Sequence, residues 1–176
     1  TSGIGVSAIQ ILKLYKSEIF TTVGTNKKKK FCESLGVQNV FNYKETDFYD
    51  EIKKKEKKGL DIVLDYIGGD YINKNINLLK SDGKLINIGF LNGSQVNINL
   101  MKIMLKRLTI TGSTLRIREK TYKAKILNDL KKIVFPNFEN GKIKCYIDSV
   151  FKLKDVVASH KYLEGGGHIG KIVLEI

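Results

Sequence analysis

The chain has 176 residues, 42% of them hydrophobic, which is enough for one good core and part of a second. Its net charge is +13, but only Arg107, Arg116 and Arg118 of the 31 basic residues are arginines. The lysines follow a bias toward Lys, Asn and Ile across the whole sequence, so specific nucleic-acid binding is not expected. No apolar run approaches the roughly 20 residues that span a bilayer, and Cys32 and Cys145 stand far apart as reduced thiols without zinc-ligand spacing, which suits a cytoplasmic protein.

In chain order, Thr1-Ser2-Gly3-Ile4-Gly5 reads as the second part of a glycine-rich phosphate loop. Ala8, Ile9, Ile11, Leu12 and Tyr15 then recur at helical spacing. A β-rich run spans 19–23. A helix over 27–35 has Thr25 or Asn26 as its cap and Gly36 at its end. Residues 39–43 are strand-like and 47–57 form a charged helix. Residues 60–66 form an apolar strand cut off by Gly68-Gly69. A helix over 71–79, a strand over 84–90, a helix over 97–106 and a strand over 107–114 complete the series. Strands alternating with helices of about ten residues predict a parallel α/β sheet, and Ile62-Val63-Leu64 and Leu85 to Ile88 read as strands buried on both faces.

After about Leu115 the pattern changes. One long helix is expected over 120–134, ending before Pro136. An extended segment follows within 141–153, then a short helix over 155–163, a Gly165-Gly166-Gly167 turn and a closing strand over 169–176. The division expected is a dinucleotide-binding domain over 1–115 and a tail over 116–176.

The chemistry lies in the turns. Ser2, Gly3, Ile4 and Gly5 would offer backbone N–H groups and a helix N-terminus to a pyrophosphate. A chain selective for NAD usually carries an acid at the end of the following strand, to hold the ribose hydroxyls. Here the run is Val23-Gly24-Thr25-Asn26-Lys27-Lys28, with no acid. A carboxylate would repel a 2′-phosphate, whereas a hydroxyl and a lysine would hold one, so NADPH is expected as cofactor. Lysines at a helix N-terminus oppose the macrodipole unless an anion joins them. Gly68-Gly69, Gly89 and Gly93 fall at the carboxyl ends of parallel strands, where a flat ring could lie on backbone. Asp65 is read as the cap of the next turn, and His160 and His168 as satisfied packing histidines. No nucleophile–base triad and no metal site is apparent, and hydride transfer needs neither.

Several segments are also familiar together: Ser2-Gly3-Ile4-Gly5 with Ala8-Ile9-Gln10, Gly24-Thr25-Asn26-Lys27-Lys28, Phe41-Asn42-Tyr43, Leu64 to Gly69, Asp82-Gly83-Lys84, Gly112 to Arg118, and Ile169 to Leu174. In this order they resemble the quinone oxidoreductases, the zeta-crystallin-like branch of the medium-chain dehydrogenase/reductase family. The resemblance implies a Rossmann-type doubly wound parallel sheet lacking its first strand, with a tail belonging to the catalytic domain. It implies that Lys28 meets the 2′-phosphate of NADPH, with Gly24, Thr25 and Tyr43 around it, and that Gly3 to Gly5 hold the pyrophosphate. Ile67, Gly68, Gly89, Phe90, Leu91, Ser113, Thr114 and Leu115 would pass the nicotinamide. It further implies a zinc-independent reduction of quinones, catalytic residues in an amino-terminal domain outside this chain, and a homodimer through 107–114. Alternatives are an enoyl reductase of the same family and a basic RNA-associating module. The strand and first glycine that should precede Thr1 are absent, so the chain is expected to be a fragment, inactive alone. The absent strand would stand mid-sheet and leave its two neighbours with open edges, unless another copy lends a strand or the sheet closes over the gap.

Overall fold

The computed structural model describes residues 1–176. Two compact units emerge, one made of Thr1–Thr46 with Ala124–Ile176 and the other of Asp47–Lys123. Every strand pair in both is parallel, and helices connect the strands, which gives the α/β class.

In the first unit, helix α1 (Gly3–Leu14) starts at Ser2, whose hydroxyl accepts the Gly5 N–H at 3.3 Å. Strand β1 (Phe20–Val23), helix α2 (Asn26–Ser34) and strand β2 (Asn39–Asn42) follow, with β1 paired to β2 from Phe20↔Asn39 to Val23↔Asn42. All four β2 residues are buried. Val6, Ile9, Val23, Cys32, Leu35, Val37 and Val40 form the core.

The later residues of this unit pack onto the same core. Tyr146 stands edge-on to Phe31 at 5.1 Å, and the Gln10 amide takes the Lys144 N–H at 2.8 Å while donating to the Lys144 carbonyl at 3.1 Å. Strand β6 (Ile147–Lys152) pairs with the closing strand Lys171–Glu175, here called β7. A bridge from Ser2 to Gly170 ties that closing strand to the start of α1.

The second unit holds helix α3 (Phe48–Lys55), strand β3 (Leu60–Asp65), helix α4 (Tyr71–Leu78), strand β4 (Leu79–Asn87), helix α5 (Leu100–Lys106) and strand β5 (Thr109–Gly112). The strand order is β3-β4-β5. Ile72, Ile76, Leu79, Leu85 and Leu108 are its core, joined by Val63 and Ile103.

Helix α6 (Lys120–Ile133) begins in the second unit and ends in the first. Helix α7 (Phe135–Glu139) and helix α8 (Val156–Glu164) complete the count.

The long helix ends at Ile133, before Pro136 as expected, and Pro136 sits in the first turn of the separate helix α7, where its missing N–H costs nothing. Two expectations change. Helix α5 begins at Leu100, because the Asn99 side chain caps it by accepting the Met101 N–H at 3.0 Å. Ile62 and Leu64 are 58% and 41% exposed, so β3 is buried on one face only, the one carrying Val63 toward Leu85. Strand β1 has β2 as its one neighbour and β3 has β4, which leaves an open backbone edge on each.

Candidate functional site

In the first unit the site begins where β1 ends. A Cβ on Gly24 would stand 2.6 Å from the Tyr43 hydroxyl, so glycine lets that ring lie against the turn. Thr25 caps α2, its hydroxyl accepting the Lys28 N–H at 3.3 Å, and no acid occupies the first turn of the helix. Glu45 is the nearby carboxylate, and it is held at 2.6 Å by the Asn26 amide. The Lys28 ammonium donates to the backbone carbonyl of Gly166. Burial pushes Lys28 below its ordinary value; Lys27 and Lys44 act the same way, and Asp148 opposes them. A cation at a helix N-terminus, crowded by other lysines and met by a neutral carbonyl, is electrostatically suited to an anion.

The first turn of α1 lies in the same unit. The Lys171 side chain occupies the space a Cβ on Gly3 would need, which brings a second ammonium-bearing chain over the helix start. Neither Lys171 nor Gly166 was singled out from the sequence as a site residue.

His168 corrects an expectation. Its Nδ1 is shut away from solvent and meets no hydrogen-bond partner, so it is not a satisfied packing histidine. Burial pushes its pKa down, and Lys28 adds to that, while Asp148 pulls it up. The Asp148 carboxylate takes hydrogen bonds from Ser149 Oγ at 2.6 Å, Tyr162 Oη at 2.8 Å and the Ile169 N–H at 2.8 Å. The Ser149 hydroxyl is the largest cause of its fall from 3.8 to about 2, followed by the Ile169 amide and Tyr162. A carboxylate with a depressed folded-state value contributes stability above its unfolded value and loses it on acidification. The urea-midpoint gap between the native chain and Asp148→Asn should therefore be full above about pH 4 and close as the pH falls toward 2. A gap unchanged over that window would remove this role.

In the second unit, Asp65 caps the turn as read. Its carboxylate accepts the Ile67 N–H at 2.7 Å, the Gly68 N–H at 3.3 Å and the Asn87 amide at 3.3 Å, and the residue is buried. Gly68 and Gly69 have φ of +72° and +53°. That conformation lets Gly69 donate to Gly93 at 2.9 Å, while Asn92 donates to Ile67 at 2.7 Å and Leu91 to Tyr66 at 3.2 Å. Ile67, Gly68, Gly89, Phe90 and Leu91 thus share one cluster of loops at the carboxyl ends of β3 and β4. Ser113 extends the β4–β5 ladder by donating to Asn87 at 3.0 Å, and Thr114 and Leu115 leave from that neighbouring strand end. Phe90, Leu91 and Leu115 expose large apolar surfaces there.

Parallel strands joined by helices, with glycine turns at their carboxyl ends and a capped helix start free of acids, define a nucleotide-binding α/β protein. Residues 3–132 match the family described as zinc-binding dehydrogenase, and the chain belongs to that family. It is 30% identical over 176 residues to human quinone oxidoreductase, covering 99% of this chain and 52% of the relative. The crystal structure of Escherichia coli quinone oxidoreductase complexed with NADPH is 26% identical with a TM-score of 0.85, over 99% of this chain and 54% of that one. The CurK enoyl reductase is 26% identical with a TM-score of 0.77, over 99% and 52%. The chain spans about half the length of these relatives. The family description names zinc, but no three of the His, Cys, Asp and Glu side chains here are grouped where they could hold a metal. No helix is long and apolar enough to cross a membrane.

Proposed function

We propose that this chain is the NADPH-binding part of a quinone oxidoreductase. The observation that carries the reading is the corner after β1, where Lys28 lacks any acidic neighbour on its own turn and is met by a carbonyl. The residues fit a 2′-phosphate: Gly24 lets the Tyr43 hydroxyl lie against the turn, Thr25 offers its hydroxyl proton, and Lys28 supplies the charge. The similarity to a quinone oxidoreductase crystallised with NADPH supports the same assignment.

NADPH supplies the hydride when bound. The chain's own residues would bind and orient it. Ser2, Gly3, Ile4 and Gly5 would take the pyrophosphate on the first turn of α1. Ile67, Gly68, Gly89, Phe90 and Leu91, with Ser113, Thr114 and Leu115, would line the nicotinamide end with backbone and apolar surface that excludes water. In this reading residues 1–115 carry the dinucleotide site, and 116–176 return toward a catalytic domain that supplies the acceptor side. The reaction is zinc-independent and cytoplasmic. The second edge of β5 serves a homodimer, a role its place at the end of the β3-β4-β5 order supports.

A second reading, an enoyl reductase, is favoured by the likeness to CurK. Stopped-flow oxidation of NADPH by the complete protein separates the two. Turnover with a simple quinone and none with an enoyl thioester is expected, and the reverse selects the second reading. Equal use of NADH and NADPH contradicts both.

A further inference from the structure

The carboxyl ends of β3, β4 and β5 finish in one row, with Asp65 opposite Asn87 and Asn87 opposite Gly112. Asn87 is the middle member, buried like Asp65, and it reaches both neighbouring strands. Its side-chain amide donates to Asp65 Oδ2 at 3.3 Å, and its backbone carbonyl accepts the Ser113 N–H at 3.0 Å. An ionised carboxylate only accepts, so the amide must turn its NH2 group toward Asp65. The other Asp65 oxygen holds the Ile67 N–H at 2.7 Å and the Gly68 N–H at 3.3 Å. Backbone bonds from Gly69 to Gly93 and from Asn92 to Ile67 join the loops after β3 and β4, and Asn87 joins the base of both to the loop after β5.

We propose that Asn87 is a positioning residue for the nicotinamide: paired with Asp65, it sets the three loops that leave these strand ends as one rigid seat before the cofactor arrives. This rests on the NADPH reading above, which puts Ile67 and Gly68, Gly89 to Leu91 and Ser113 to Leu115 at that end. A seat already in its bound shape spares the ordering cost that binding otherwise carries. Placement also matters for hydride transfer, since an error of about 1 Å can cost about 100-fold in rate. A buried amide bonded to a carboxylate is a strong constraint, because breaking the bond leaves the amide without a partner away from water. Leucine fills a similar space but carries no donor, so it would cut the side-chain link between the β3 turn and β4. The helices packed against β4 direct their charges elsewhere: Lys74 on α4 is held by Asp47, while Lys102 and Lys106 on α5 bond Asn77 and Leu79, at the far end of β4. Asp70, at the start of α4, is exposed. Asp65 is the ionisable group that meets the Asn87 side chain.

Adenosine 2′,5′-bisphosphate carries the 2′-phosphate without the nicotinamide, so the ratio of NADPH affinity to bisphosphate affinity isolates the loop end of the site. Calorimetric titration of the complete protein measures both. Asn87→Leu should lower the ratio about tenfold by weakening NADPH alone. Asn87→Asp supplies a conservative rescue. Two carboxyl groups facing each other in a buried site share one proton, and the step that removes it is moved upward. At about pH 5 the shared proton replaces the amide donor, and the ratio should match that of the native protein; by about pH 8 it should fall about tenfold. The native ratio should stay level over that range, because both ligands carry the same titrating 2′-phosphate. A ratio that stays native in Asn87→Leu, or that does not change with pH in Asn87→Asp, overturns the proposal, as does an equal loss for both ligands. The unsubstituted protein gives a second measurement that needs no variant to fold. Amide hydrogen exchange at Ile67, Gly68 and Ser113 should report one opening free energy, and unequal values overturn the proposal. The two levels separate cleanly. A native protein that binds NADPH no more tightly than the bisphosphate removes the nicotinamide placement and this inference with it, whereas a native preference that both variants keep at every pH removes this inference alone.

Discussion

Replacing Lys28 by alanine should weaken NADPH binding about 10- to 100-fold and leave NADH binding unchanged. A hydrogen bond to a charged group contributes about 1.5–3 kcal/mol, and about 1.4 kcal/mol corresponds to tenfold in affinity. The loss should be confined to the phosphorylated cofactor, because the other groups at this corner are neutral toward a bare ribose: Thr25 is a helix cap and Gly24 is backbone beneath Tyr43. Folding should change little, since the side chain's one hydrogen bond is to the exposed Gly166 turn. Lys28→Arg should keep most of the preference, because a guanidinium can also engage a phosphate. Fluorescence titration of both variants with both cofactors measures this. Equal losses for NADH and NADPH would place Lys28 in general packing instead.

Gly68→Ala should destabilise the second unit by about 2–4 kcal/mol. The estimate sums about 1–2 kcal/mol for an alanine in the left-handed region with about 1–2 kcal/mol of steric crowding. The crowding is with backbone and with a ring: a Cβ there would stand 2.5 Å from the Gly93 carbonyl oxygen and 2.7 Å from the Phe90 side chain. Relief requires moving the loop that carries Phe90 and Leu91, so the nicotinamide end of the site should suffer with stability. Gly112→Ala is the control, since its Cβ would meet only the Asn87 carbonyl oxygen, at an ordinary 3.5 Å. Urea denaturation of the two variants is the measurement. Similar midpoints would show that the Gly68 turn relaxes without strain.

Both effects arise from turns whose logic is local, and these turns were the legible part of the sequence. Ser2, Thr25 and Asp65 each bond to an amide two or three residues ahead, so residue type and spacing announce them. The alternation of helix and strand was legible for the same reason. Ends were less so: Asn99 moved the start of α5 by capping it, and the short helix α7 that Pro136 opens was not expected. What no local signal carried was the meeting of distant segments. Gln10 reaches Lys144 across 134 residues and Lys28 reaches Gly166 across 138, and the intervening sequence holds no pattern that encodes either pairing. His168 was misread on that account, because its environment comes from α2 and β6 and not from its neighbours in the chain. Ile62 and Leu64 were misread for a related reason: apolar character on both faces of a strand does not say which face another element covers.

The account depends on a phosphate-accepting corner at the end of β1. A crystal structure of the chain with NADPH tests it directly. The 2′-phosphate should lie within hydrogen-bond distance of Lys28 and the Thr25 hydroxyl, with the Lys28 ammonium released from the Gly166 carbonyl. A bound cofactor whose phosphate points elsewhere, with the Lys28–Gly166 contact intact, would contradict it.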